Sequence, residues 1–176
     1  MEDIVSFFKK IKQSLGMGTI DFDLEVPPAV ANSSGRIDGT IVITAKTAQS
    51  IKDVEVKLDR EQVWDQIEQR YNSTNNLYED QWVTKSRVDT IAQWKDETPF
   101  DLAEGEVRRI PFALVFPVVE HPYGTADNLS LWDFLPASWN LGSGFRNMRI
   151  SYRIDGDADV DGAAFDKGES TPITLT

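Results

Sequence analysis

Cysteine is absent from the 176 residues, which removes disulfides, a thiolate nucleophile and zinc–thiolate centres together. Histidine is almost absent. His121 stands alone between Glu120 and Pro122, so the paired-histidine metal motifs cannot be built. Long apolar runs are missing too; none approaches the roughly 18–20 residues that a membrane-spanning helix needs. The opening MEDIVSFFKK lacks the basic, long apolar and small-residue order of an export signal. A cytoplasmic location is therefore expected. Positive charge is in short supply, with 18 Lys and Arg against 29 Asp and Glu, a net charge of −11. Such a field repels phosphate backbones, which argues against nucleic acid as a partner. Catalytic signatures are also lacking. There is no G-x-S-x-G, and Gly16-x-Gly18 precedes a strand pattern instead of following one, unlike a phosphate-binding loop. Neither enzymatic activity nor a cofactor is expected.

What the chain does have is two-residue alternation. In Glu106–Pro117, Ile110, Phe112, Leu114 and Phe116 share one face, the period of a strand with one side in a core. We expect this to be the central strand, entered by a turn at Glu104-Gly105-Glu106. Similar patterns place Ile20, Phe22, Leu24 and Val26 on one face, then Ile37, Gly39, Ile41 and Ile43, then Val54, Val56 and Leu58. Ile51 is out of phase with the last set, which predicts a bulge just after it. Residues 61–71 fit either a short helix or a continued strand. Trp82, Thr84, Ser86, Val88, Thr90, Ala92 and Trp94 form one face of a rim strand. Ile150, Tyr152, Ile154, Gly156, Ala158 and Val160 form another inward face, and Ile173 and Leu175 a short last strand. Seven or eight strands joined by turns predict a single all-β, two-sheet β-sandwich over 1–176.

Three segments stand apart. Ile4, Phe7, Phe8, Ile11 and Leu15 recur at helical spacing, giving a short amphipathic helix within 1–17, with Lys9, Lys10 and Lys12 near its end. Residues 3–15 can pack on the sandwich, meet a partner through Phe7 and Phe8, or hold the protein peripherally on a membrane surface. Residues 118–146 form a long aromatic-rich loop carrying Trp132, Phe134, Leu135 and Trp139, either a lid on the core or a set of partner anchors. Asp157, Asp159, Asp161 and Gly162 match the first half of a calcium loop. Position 12 is Gly168, however, where a bidentate carboxylate is required. Alternate aspartates on the wet side of a strand explain the same pattern without a metal.

Three motifs also carry a family resemblance. Ser6-Phe7-Phe8-Lys9-Lys10, followed by Gly16-x-Gly18 and an acidic-alternating strand, comes first. Phe100-x-Leu102-x-x-Gly105 then leads to Ile110-Pro111-Phe112-x-Leu114-x-x-Pro117, and Tyr152-Arg153-Ile154-x-Gly156-x-Ala158-Asp159-Val160 follows. In this order they resemble the arrestin-like proteins, most closely the bacterial and archaeal sporulation-control relatives. The second motif resembles the central hairpin of arrestin-fold N-terminal domains. The resemblance implies an arrestin N-terminal-domain-like sandwich and an adaptor or regulator without cofactor, acting in developmental or stress control. It implies a protein partner, bound through sheet edges and loops. The relatives usually carry a second sandwich, and a homodimer would restore that two-sandwich shape through an exposed edge strand.

Overall fold

The computed structural model describes residues 18–74, 76–119, 145–163 and 167–176. The expected helix of residues 3–15 and most of the 118–146 loop lie outside these residues. Two sheets face each other. The smaller has the order β1 (Ile20–Glu25), β3 (Arg36–Ala45), β7 (Val107–Val115), all antiparallel. The larger runs from β2 (Ala29–Val30) through β9 (Lys167–Leu175), β8 (Phe145–Val160) and β4 (Gln49–Asn72) to β5 (Leu77–Asp96), with β6 (Phe100–Leu102) also on β4. The described residues thus hold nine strands, more than expected from the sequence. The additions are the short β6 and the two-residue β2, which pairs parallel to the end of β9.

The predicted inward faces supply the core. Ile20, Ile37, Ile41 and Ile43 from one sheet and Val54, Val56, Leu58 and Ile154 from the other are fully buried. Each such side chain stabilises the fold by about 1.5–3 kcal/mol, and a one-residue slip would turn a whole strand's set to water. Packing is close enough to dictate glycine. A Cβ on Gly156 would lie 2.9 Å from Leu24 Cδ2, contributed by the opposite sheet. Polar staples tie the layers together. Glu169 Oε2 accepts the Leu24 N–H at 2.6 Å. The buried Asn32 side chain donates to the Val119 carbonyl at 2.7 Å and accepts its N–H at 2.9 Å.

Several expectations need correction. The strand within Glu106–Pro117 is an edge strand, β7, paired only with β3 among the described residues. Pro111 explains its position, because a strand paired on both sides has no place for a residue without an N–H. The centre of the larger sheet is β4, which pairs with β5, β6 and β8. Phe100–Leu102 and β7 do not form a hairpin: β6 lies on β4, and the turn with Gly105 at φ +80° carries the chain from one sheet to the other. Residues 61–71 continue β4 as strand, so the helical alternative falls. β8 takes in the last two residues of the expected 118–146 loop, since Phe145 and Arg146 pair with Gln66 and Asp65 before an irregularity around Asn147. The bulge expected after Ile51 is present, with register shifting between Ile51 and Asp53.

Candidate functional site

The β4–β5 hairpin is longer than the sandwich that it helps to form. Strand β8 accompanies β4 only as far as Gln66. Beyond that point, among the described residues, β4 and β5 run on as a two-stranded ribbon, with pairs from Ile67↔Trp82 to Asn72↔Leu77. Alternation within β4 fixes its faces. Val54, Val56, Leu58, Gln62 and Trp64 point inward, so Glu61, Val63, Ile67 and Tyr71 point outward.

A second bulge decides what β5 contributes. Leu58 pairs with Ala92 but Asp59 with Thr90, leaving Ile91 as an extra residue. Ile91 and Ala92 both reach the core. From Thr90 towards the tip the parity of β5 is therefore reversed. Trp82, Thr84, Ser86, Val88 and Thr90 do not share the inward face of Ala92 and Trp94, as the unbroken alternation suggests. They face outward.

The outward face consequently gathers apolar and aromatic side chains in water: Ile67 (38% exposed), Tyr71 (55%), Tyr78 (71%), Trp82 (44%) and Val88 (45%). At the tip the Tyr71 and Tyr78 rings lie 5.5 Å apart between centroids. Tyr71 Oη donates to Asn76 Oδ1 at 2.7 Å, and Asn76 takes the left-handed turn conformation at φ +57°. Thr84 Oγ1 and Asn147 Nδ2 both donate to Asp65, at 2.8 Å each, fixing the base of the ribbon to the start of β8. The reverse face is charged. Lys85 pairs with Glu68, Arg60 with Asp89 at 3.2 Å, and Arg87 with Asp89 at 2.8 Å. Lys85 holds the Glu68 carboxyl below the usual carboxylate range. Exposed pairs like these contribute little stability, but they keep that face wet and leave the apolar face as the distinctive one.

The other predicted sites are placed as follows. Phe7, Phe8, Trp132, Phe134, Leu135 and Trp139 lie outside the described residues. Asp157 and Asp159 alternate along β8, and Asp161 sits in the turn after it. Lys52 Nζ lies between two of them, 3.3 Å from Asp159 and 3.5 Å from Asp161. Among the described residues no group of three or more acidic or histidine side chains could hold a metal. On the same sheet face, burial raises the Asp155 carboxyl, but hydrogen bonds with Ser170 and Arg153 outweigh it and hold the group low. These are the contacts of a solvated ion-pair lattice. Among the described residues, no helix is long and apolar enough to cross a membrane.

Sequence patterning did not single out Ile67, Tyr71, Tyr78, Trp82 or Val88 as functional. Its one available signal was that residues 61–71 carry more apolar side chains than a strand with one buried face requires.

No curated protein matches the chain. Among solved structures it is similar to Spo0M, the sporulation control protein from Bacillus subtilis, at 17% identity and a TM-score of 0.43. That match covers 90% of this chain and 50% of the other, so the chain spans about half the length of the relative. The family model described as SpoOM protein matches residues 8–132, most of the chain, and the protein belongs to the Spo0M sporulation-control family.

Proposed function

We propose that the chain is a non-enzymatic protein-binding module, an adaptor or regulator in developmental or stress control, which engages its partner through the outward face of the β4–β5 ribbon. The observation that carries this reading is the grouping of Ile67, Tyr71, Tyr78, Trp82 and Val88 on one exposed face. Large aromatic side chains contribute most where they can be desolvated against a partner, with about 2 kcal/mol or more lost on truncating a central one. Backbone pairing along β4 and β5 holds these side chains in a fixed order on one face, which lowers the entropy lost on binding.

The test compares proteins that co-purify with the tagged wild type, a Tyr71→Ser/Tyr78→Ser variant and a Trp132→Ala/Trp139→Ala variant, each shown to be folded. The expected result is a partner kept by the wild type and the tryptophan variant but lost by the tyrosine variant. Loss only in the tryptophan variant would move the binding face to the 118–146 segment.

A further inference from the structure

We propose that the outer edge of β5 pairs antiparallel with the same edge of a second copy of this chain, about a twofold axis at Val83. The proposal concerns the strand's backbone edge, and it stands whether or not the outward face binds another protein. β5 is the last strand of the larger sheet, and among the described residues no strand pairs with its outer side. The other rims are protected. The Leu24 N–H of β1 is taken by Glu169, β7 is interrupted by Pro111, and β2 has two residues. β5 has 20 residues and no proline, and it pairs regularly from Leu77 to Thr90 before the bulge at Ile91. A long regular edge of this kind is a template for strand addition.

Charge, ladder length and the apolar pairs together select the register. A continuous twofold sheet requires paired residues to share a face, so the axis must fall on a residue. An axis at Thr84 opposes Glu79 to Asp89; one at Lys85 or Arg87 opposes each to itself; one at Ser86 opposes Lys85 to Arg87. An axis at Val88 drives the ladder across the bulge. With the axis at Val83, Glu79 faces Arg87 twice, Tyr78 faces Val88 twice, and no like charges meet. An axis at Trp82 also opposes Glu79 to Lys85 without like charges, but its ladder is shorter and it sets Tyr78 against Ser86 instead of Val88. The Val83 register also joins the two outward apolar stripes through the Tyr78–Val88 pairs.

The whole chain is the test object, and its lack of cysteine makes single thiols informative. Sedimentation of the wild type should show a dimer, and Val83→Cys should form an intermolecular disulfide under mild oxidant, while Gln81→Cys and Lys85→Cys should not. Arg87→Glu or Glu79→Arg alone should weaken the dimer about tenfold, and the two together should restore it. A wild type that stays monomeric at every concentration would overturn the proposal. So would equal cross-linking at all three positions, or a double charge swap that fails to restore the dimer.

Discussion

Asn32 gives both ends of its side-chain amide to one residue. Its Nδ2 donates to the Val119 carbonyl and its Oδ1 accepts the Val119 N–H, so a side chain completes a pairing that a neighbouring strand would otherwise supply. Both hydrogen bonds are buried, and a buried backbone group left without a partner costs about 1–3 kcal/mol. Asn32→Ala should therefore lose about 2–4 kcal/mol in urea denaturation, with the slope unchanged. A loss under 1 kcal/mol would show that water replaces the amide at no cost. Nothing in the sequence marks this residue. Asn32-Ser33-Ser34-Gly35 reads only as a turn, and the partner lies 87 positions away.

At the scale of elements, proline separates rim from centre. Pro111 occupies β7, which gives up nothing by lacking a donor on its open side. Pro111→Val should change stability by less than about 1 kcal/mol. Val56→Pro, in a strand bonded to Trp94 on one side and Gly156 on the other, should abolish cooperative folding in circular dichroism melts. The two bulges differ in legibility for a related reason. The bulge after Ile51 interrupts the alternation of its own strand, because Ile51 and Val54 are both buried. The bulge at Ile91 leaves no such trace, since the sequence from Trp82 to Trp94 alternates without interruption. A bulge that leaves the alternation of its own strand intact is visible only in the pairing with the neighbouring strand.

At the scale of the whole molecule, the net charge of −11 works against compaction through self-repulsion. Many cations are already in short-range pairs, such as Arg36 with Asp38 at 2.6 Å and Lys95 with Asp53 at 3.2 Å. Those pairs are exposed or partly exposed and weak, so screening the excess of acids should dominate. Raising NaCl from low concentration to about 1 M should raise Tm by a few degrees, read by differential scanning fluorimetry. A fall in Tm would show instead that the ion pairs outweigh the repulsion.

The all-β class, the inward faces of β1, β3, β7, β8 and β9, and the bulge after Ile51 were all legible in the residues alone. Each of these is written in the period of a single strand, where burial of one face needs no knowledge of the neighbour. The motifs also carried the sporulation-control resemblance that the family match then showed. Tertiary structure decided which strand is central, that Phe100–Leu102 joins β4 instead of β7, and that Trp82 and Val88 face water beside Ile67, Tyr71 and Tyr78. All three depend on which strands pair and in what register, a property of two segments brought together from distant parts of the chain. The candidate binding face is of that kind. Its side chains are ordinary strand residues until the extra residue at Ile91 turns them away from the core.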